Sequence, residues 1–421
     1  MNPDTQNADP QNAAFQTFEP ARIEELNRLQ RALTQLNLED REQRRYAAAA
    51  KTAEPCLCTP VDYASDLGHI PQRILDIDYG CGDPTQYARE GETVLDLGSG
   101  SGKHCFMIAR KVGPDGAVIG VDKTPDMLEL SRGAIDEVVG NLGYPNRNID
   151  FRRGQIENLR WDLDRLLAMA AESPPQNYAD LDRLERELSK EPLLADESVD
   201  LVVSNCVLNL VEDHSKDQLF RELHRVLRRG GRAVISDIVA AEDVPQNMKD
   251  DEDLWTGCVS GALRRDRFLQ AFADAGFYGV EELSSYYWTR EGDITFHSVT
   301  VVAHKGKEGP CWETYRRAQY RGPFSAVHDD DGHIFPRGVA VPVCEKTANL
   351  LSREPYAQHF LVSEALIDES EKIPFDCSQA LPEAGELPKS IQEAAAKSVG
   401  LVSGTKQGPL GSGCDPATGC C

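Results

Sequence analysis

Cysteine is the residue type in this sequence with the greatest capacity for chemistry, because 12 cysteines occur among 421 residues. None forms a Cys-x-x-Cys pair: Cys56 and Cys58 are too close for a zinc knuckle, and Cys420 and Cys421 are adjacent. The first 20 residues are polar and lack the apolar segment of a secretory signal. We therefore expect a reducing, cytoplasmic location, in which cysteines bind metals, do chemistry or pack as small apolar residues.

A glycine-rich turn, Asp96–Gly102, follows a predicted strand and leads into a predicted helix. Glycines permit a tight turn and a close approach of ligand to backbone. The dinucleotide-binding fingerprint needs a further glycine where Lys103 stands, so the turn suits a ligand without a pyrophosphate. Asp122, at the end of the next strand, can accept hydrogen bonds from both ribose hydroxyls. This arrangement resembles the S-adenosylmethionine site of class I methyltransferases.

An alternation of strands and helices between residues 92 and 304 predicts the elements that carry this turn. The fold class we expect is α/β, a Rossmann-like class I methyltransferase sheet with helices on both faces, plus a small C-terminal α+β appendage. A helix is predicted over Asp217–Leu227, ending near Gly230 and Gly231. The predicted strands are Thr93–Leu97, Ala117–Asp122, Ile149–Arg152, Val199–Ser204, Arg232–Asp237, Gly279–Leu283 and Phe296–Ala303.

Shifts in composition predict five regions along the chain. They are a disordered leader (1–20), an N-terminal helical region with Cys56, Cys58 and Cys81 (21–90), a cofactor-binding domain (91–305) with an insertion at about 161–197, a small C-terminal domain (306–380) and a flexible cysteine-containing tail (381–421).

The net charge of −24 argues against binding to nucleic acid or to anionic lipid, since both need a basic surface. No run of 18 apolar residues occurs, so we expect no membrane span. The fourth predicted strand is followed neither by the Asn/Asp-Pro-Pro-aromatic motif of adenine methyltransferases nor by the Pro-Cys motif of cytosine methyltransferases. The methyl acceptor is therefore expected to be something other than a nucleobase.

Three further segments resemble signatures of the arsenite methyltransferase family. They are Asp78–Gly82 (DYGCG), Ser204–Leu210 (SNCVLNL) and Leu254–Leu263 (LWTGCVSGAL). The resemblance runs from about residue 54 to the C-terminus. It implies that Cys81, Cys206 and Cys258 are catalytic and hold trivalent arsenic as the substrate. The family has a fourth cysteine upstream, for which Cys56 is preferred here over Cys58.

The chemistry implied by this family is attack of the arsenic lone pair on the sulfonium methyl group, with Cys206 and Cys258 as arsenic ligands. Cys81 would be a third ligand or a redox partner. The expected partners are arsenite or methylarsenite and a thiol reductant, thioredoxin or glutathione. The expected cofactor residues are Asp96, Gly98, Ser99, Gly100, Gly102, Asp122, Lys123, Met127, Ile156, Glu157 and Asn205.

Other readings of the cysteines remain open from the sequence. The acceptor could be antimony, selenium, tellurium or a small thiol, or the chain could be a generic small-molecule methyltransferase or a metalloid-binding protein without turnover. Cys105 is interpreted as a packing residue. Cys311, Cys344 and Cys377 have no role suggested by a motif, and the tail cysteines Cys414, Cys420 and Cys421 could capture arsenic, relay electrons or be idle.

Overall fold

The computed structural model describes residues 41–52, 66–77, 79–306, 310–329, 332–367 and 373–375. Our predictions for residues 1–20, for Cys56 and Cys58, and for the tail at 381–421 lie outside the described residues. The chain divides into two units, with the boundary between Gly306 and Lys307.

A seven-stranded sheet forms the centre of the first unit, in the order β3-β2-β1-β4-β5-β7-β6. The first five strands in sequence run parallel, and β7 pairs antiparallel with β5 and with β6. The predicted class I methyltransferase fold is thereby confirmed. The strands are β1 Thr93–Leu97, β2 Ala117–Asp122, β3 Ile149–Arg153, β4 Val199–Asn205, β5 Leu227–Ala240, β6 Tyr278–Glu291 and β7 Ile294–His304.

Helices cover both faces of this sheet because neighbouring residues of a strand point to opposite sides. Val94 packs in the same cluster as Phe106, and Leu95 packs in the cluster of Phe220 on the other face. The helices are α1 Gln72–Leu75, α2 Lys103–Val112, α3 Pro125–Arg132, α4 Ile135–Leu142, α5 Leu163–Glu172, α6 Tyr178–Lys190, α7 Asp213–Val226, α8 Gln246–Lys249, α9 Glu252–Thr256 and α10 Arg265–Asp274.

The helix before β5 corrects one expectation. It ends at Val226, several residues before the glycine pair that was expected to terminate it. Leu227 already pairs with Val199 in the sheet, and the amide of Gly230 donates to the carbonyl of Lys305. Sheet pairing therefore ends the helix, and Gly230 lies within the strand at a φ of 88°.

The insertion contains two helices, α5 and α6, which contact each other. Residues 41–49, in the N-terminal region, are also helical. Among the described residues, no helix is both long enough and apolar enough to cross a membrane.

The second unit is built from short strands and one helix, α11 Glu345–Leu351. Its three-stranded sheet has the order β12-β9-β13, and two further strand pairs are β10 with β11 and β8 with β14. Tyr320, Phe335 and Val343 are among the residues of its own apolar core. The strands are β8 Trp312–Glu313, β9 Arg316–Tyr320, β10 Ala326–His328, β11 Ile334–Pro336, β12 Ala340–Val343, β13 Phe360–Val362 and β14 Ile373–Pro374.

Candidate active site

The glycine-rich turn lies at the carboxyl end of β1, where ligands bind in open parallel sheets. Gly98 has a φ of 67°, and a Cβ atom there would come within 2.5 Å of the Val207 side chain. Gly102 has a φ of 86°, and a Cβ atom there would meet Phe151 at 2.6 Å. The turn therefore needs glycine at these two positions, because a side chain would be strained and would also clash.

Asp122 connects the glycine-rich turn to the end of β2. Its carboxylate accepts hydrogen bonds from the amides of Gly100, at 2.9 Å, and Thr124, at 2.7 Å. Burial raises the pKa of Asp122 above its ordinary value, whereas these amides and Lys123 oppose that rise. The side chain is consequently held in one orientation at the edge of the cavity described next.

A cavity of about 300 Å³ opens between the turn and the ends of β2 and β4. Its lining combines the Asp122 carboxylate with the apolar side chains of Met127 and Ile156. The hydroxyl of Ser99 is buried there and has no hydrogen-bond partner among the described residues. An acid for ribose hydroxyls, apolar surface for an adenine ring and an unsatisfied polar atom fit S-adenosylmethionine.

Of the fourteen expected site residues that the structure describes, ten line this cavity and four do not. Asp96 is buried in β1 and accepts a hydrogen bond from the thiol of Cys105 at 3.3 Å. Gly102, Cys81 and Cys258 also lie outside the lining. The ten that line it are Gly98, Ser99, Gly100, Asp122, Lys123, Met127, Ile156, Glu157, Asn205 and Cys206.

Several lining residues were missed by the sequence analysis. Lys103 and His104 line the cavity and directly follow the glycine-rich turn. Their position next to that turn could have identified them as cavity residues. Burial lowers the pKa of His104 well below its ordinary value, which keeps the ring neutral near pH 7. Tyr46 and Tyr79 also line the cavity. Their rings pack edge to face, with 6.3 Å between the ring centroids. Tyr46 lies in the N-terminal helical segment and carried no recognisable signal.

Cys81, Cys206 and Cys258 come together in one buried apolar cluster, although they are far apart in sequence. The Cys258 thiol donates to the backbone carbonyl of Cys206, with 2.9 Å between sulfur and oxygen. The Tyr46 hydroxyl lies 3.7 Å from the Cys258 sulfur. Because Tyr46 and Cys206 both line the cavity, the cluster lies beside the predicted cofactor site.

Cys206 and Cys258 both have left-handed backbone conformations, with φ angles of 62° and 61°. Residues other than glycine rarely adopt such angles, and each costs about 1–3 kcal/mol unless the surroundings hold it. The amide of Cys206 donates to the carbonyl of Ser236, and that of Cys258 donates to the carbonyl of Trp255. The two residues share a strained backbone as well as a contact.

Asn205 fixes the segment that carries Cys81. Its Oδ1 accepts hydrogen bonds from the amides of Cys81, at 2.9 Å, and Gly82, at 3.1 Å, and its Nδ2 donates to the carbonyl of Gly82. The carbonyl of Cys81 accepts from the hydroxyls of Ser298 and Tyr286. Cys81 is thus tied to the residue that precedes Cys206.

A second set of buried polar contacts joins the segments of Cys206 and Cys258. Asn209 Nδ2 donates to the carbonyls of Ile238, at 2.8 Å, and Cys258, at 3.0 Å. Lys216 Nζ donates to the carbonyl of Gly261 at 2.7 Å. Gly261 lies so close that a Cβ atom there would be 1.9 Å from the backbone oxygen of Asn209.

The thiols are not arranged as a preformed metal centre. Within the part of the chain that the structure describes, no group of three or more His, Cys, Asp and Glu side chains could hold a metal ion. The six described cysteines, Cys81, Cys105, Cys206, Cys258, Cys311 and Cys344, are not joined in disulfides.

Comparison with protein families finds a methyltransferase domain over residues 88–190 and 176–276. A domain of unknown function matches residues 307–390.

Similar curated proteins bear the name arsenite methyltransferase. The protein from Aquipseudomonas alcaligenes is 33% identical over 296 residues, covering 67% of this chain and 76% of the relative. The Mus musculus protein is 31% identical over 307 residues, covering 70% of this chain and 73% of the relative. The Halobacterium salinarum protein is 39% identical over 208 residues, which are 49% of this chain and 43% of that longer relative.

Among solved structures, an arsenic(III) S-adenosylmethionine methyltransferase from Chlamydomonas reinhardtii is 29% identical. The match has a TM-score of 0.49 and covers 74% of this chain and 97% of that one.

Proposed function

Because the chain belongs to the arsenite methyltransferase family, we propose that it transfers a methyl group from S-adenosylmethionine to trivalent arsenic held by the thiolates of Cys206 and Cys258. The observation that carries the proposal is the position of these residues. Cys206 lines the cofactor cavity, and the buried Cys258 thiol donates to the backbone carbonyl of Cys206. An acceptor held there is adjacent to the predicted cofactor.

Trivalent arsenic suits such a site because it is thiophilic and keeps a lone pair when thiolates are bound. Bound S-adenosylmethionine supplies an electrophilic methyl group. The arsenic lone pair forms the new arsenic–carbon bond while the sulfur–carbon bond breaks and its electron pair stays on sulfur. Arsenic is thereby oxidised from the trivalent to the pentavalent state. The lone pair carries no proton, so the reaction needs no general base.

The residues around the cysteines have three tasks in this proposal. Asp122 and the glycine-rich turn orient the cofactor, and Asn209 holds the Cys258 segment against the Cys206 segment. The buried cluster excludes water from the thiolates, since Cys81 and Cys258 are fully buried and Cys206 is 4% exposed. Correct placement of the two reacting atoms is the main contribution to the rate.

Binding of arsenic requires a local change at Cys258. Its thiol must release the carbonyl of Cys206 and lose its proton before it can bind arsenic as a thiolate. Rotation of the side chain about the Cα–Cβ bond accomplishes the first step without moving the backbone. The absence of a preformed three-ligand group among the described residues agrees with thiols that converge only when arsenic arrives.

Cys81 has one of two roles, a third arsenic ligand or a redox partner. In the second role, two thiols close a disulfide and give two electrons and two protons to the methylated pentavalent product, which returns to the trivalent state. An external thiol, thioredoxin or glutathione, then reduces that disulfide. A Cys81→Ser variant that completes a single turnover but no further ones assigns the redox role. We expect the reaction to take place in a reducing, cytoplasmic compartment, where thiols stay available to bind arsenic.

The decisive experiment incubates the purified full chain with S-adenosylmethionine, arsenite and a thiol reductant, then separates the arsenic species by chromatography. Methylarsenicals are expected from the wild type and not from a Cys206→Ser/Cys258→Ser control. If none form although arsenite and the cofactor both bind, the acceptor is a different metalloid. If arsenite does not bind, the cysteines serve only as packing residues. The methyl acceptor is then a small organic molecule.

A further inference from the structure

The N-terminal helical segment, residues 41–49, places Tyr46 in the lining of the cofactor cavity, beside the cysteine cluster. The Tyr46 hydroxyl lies 3.7 Å from the Cys258 sulfur, within hydrogen-bonding reach of a sulfur acceptor. The single proton of the Cys258 thiol is already directed at the backbone carbonyl of Cys206. In the second contact the tyrosine is therefore the donor and the sulfur is the acceptor.

Contacts at two positions of this segment fix the place of Tyr46. Arg45 donates to the hydroxyl of buried Thr256, the last residue of α9. Glu42, which is 4% exposed, forms an ion pair with Lys123 at 2.9 Å, and both of these residues line the cavity. The segment is thereby tied both to the end of β2, where the cofactor is expected, and to the helix that precedes the third cysteine motif.

We propose that Tyr46 is a positioning residue for Cys258, and that its hydroxyl guides the Cys258 sulfur towards the cofactor cavity when arsenic binds. The role of Cys258 as an arsenic ligand rests on the proposed function, whereas the contact between the two side chains does not. Cys258 lies outside the cavity lining, while Tyr46 and Cys206 line it. A sulfur that releases the carbonyl of Cys206 and keeps its contact with Tyr46 remains next to a residue of the cavity wall.

The two contacts of the Cys258 sulfur respond in opposite ways to arsenic. The contact with the carbonyl of Cys206 needs the thiol proton, which leaves with a hydroxyl of arsenite as water while the arsenic–sulfur bond forms. Arsenic stays trivalent, so this step needs neither oxidant nor reductant. The contact with Tyr46 uses the proton of the tyrosine, so it survives and strengthens as negative charge develops on sulfur. The hydroxyl thus favours the arsenic-bound orientation of Cys258 over the resting one.

The test uses Tyr46→Phe, which removes the hydroxyl and keeps the ring that packs against the cysteine cluster. Equilibrium dialysis under a phosphine reductant measures the affinity for arsenite in the full chain, in Tyr46→Phe, in Cys258→Ser and in the double variant. Tyr46→Phe should bind arsenite about 10-fold more weakly than the wild type. The double variant should match Cys258→Ser, because the hydroxyl acts through the sulfur that serine replaces.

Two further measurements separate positioning from packing. The affinity of Tyr46→Phe for S-adenosylmethionine and its melting temperature should equal those of the wild type, while its single-turnover methylation rate should fall by about 10-fold. Tyr287→Phe is the matched control, because it removes the hydroxyl of a tyrosine that is 64% exposed, and it should behave as the wild type in every measurement.

An unchanged arsenite affinity in Tyr46→Phe would overturn the proposal. So would an equal loss of affinity with and without Cys258, since the hydroxyl would then act on another group. A joint fall in both ligand affinities and in melting temperature would assign Tyr46 to packing alone. The affinities need no turnover, so a wild type that binds arsenite through Cys258 but methylates nothing contradicts only the proposed function. Equal arsenite affinity in the wild type and Cys258→Ser would contradict both proposals.

Discussion

The thiol of Cys258 reaches the backbone carbonyl of Cys206 with a sulfur-to-oxygen distance of 2.9 Å, although 51 residues separate the two in the chain. Both residues have left-handed backbone conformations. Strain of this kind persists only where the surroundings over-determine it, and it is concentrated at functional sites. The sequence placed these two cysteines in separate motifs. The structure brings them into direct contact.

Replacing either cysteine by serine should abolish methylation of arsenic while binding of S-adenosylmethionine survives. A hydroxyl is a poor ligand for trivalent arsenic, so the acceptor is no longer positioned and methyl transfer should fall by more than about 100-fold. Arsenic speciation measures the reaction, and calorimetry measures the cofactor affinity. Cys311→Ser is the matched control and should keep the wild-type rate. Wild-type rates in both Cys206→Ser and Cys258→Ser would rule out the thiolate-ligand mechanism.

A methyl group added at Gly261 should disturb the Cys258 segment. The new Cβ atom would lie 1.9 Å from the backbone oxygen of Asn209, so one of the two segments must move. We expect Gly261→Ala to lower the methylation rate with little change in cofactor affinity. Gly140→Ala is the control, because that helical position has no atom within 4 Å of the added carbon. It should raise stability by about 0.5–1 kcal/mol. Unchanged methylation in Gly261→Ala would show that the close contact does not position Cys258.

Removal of the Asp122 carboxylate should weaken cofactor binding. The side chain accepts hydrogen bonds from the amides of Gly100 and Thr124, and we expect it to accept from the ribose as well. Hydrogen bonds to charged groups contribute about 1.5–3 kcal/mol, so Asp122→Ala should raise the dissociation constant of S-adenosylmethionine by about 10- to 100-fold. Exposed Glu129→Gln, on the helix that follows, is the control for the loss of one negative charge. An unchanged constant for Asp122→Ala would place the ribose elsewhere.

The strands and the glycine-rich turn were predictable because their signals are local. Apolar runs such as Val199–Ser204 and the positions of the glycines need no knowledge of the rest of the chain. The glycine pair was wrongly expected to terminate the helix before β5, because pairing of Leu227 with Val199 ends that helix before the glycines are reached. Tyr46 was missed because its position beside Cys258 depends on how distant segments pack. The meeting of Cys206 with Cys258 was suggested by the family resemblance and not by spacing.

The pH dependence of stability should report on the buried carboxyl of Asp96. Burial raises its pKa to about 7, and the charge of Asp122 adds to the rise, while Cys105 and Lys103 oppose it. A carboxyl whose pKa is raised by folding binds more protons in the folded than in the unfolded chain. Its contribution to the free energy of unfolding therefore falls as pH rises from about 4 to about 7, and is constant above.

Between pH 5 and pH 8, ionisation of Asp96 should cost roughly 2 to 3 kcal/mol of folding free energy. Asp96→Asn keeps an acceptor for the Cys105 thiol but cannot ionise, so its loss of stability over this range should be smaller than that of the wild type. Buried Asp237, whose pKa is also about 7, leaves part of the pH dependence in place. Asp266→Asn is the control, because Arg264 lowers the pKa of Asp266 to about 2 and the group stays ionised throughout. Urea unfolding at the two pH values measures the difference. A wild type and an Asp96→Asn variant with the same pH dependence would mean that Asp96 does not titrate in this range.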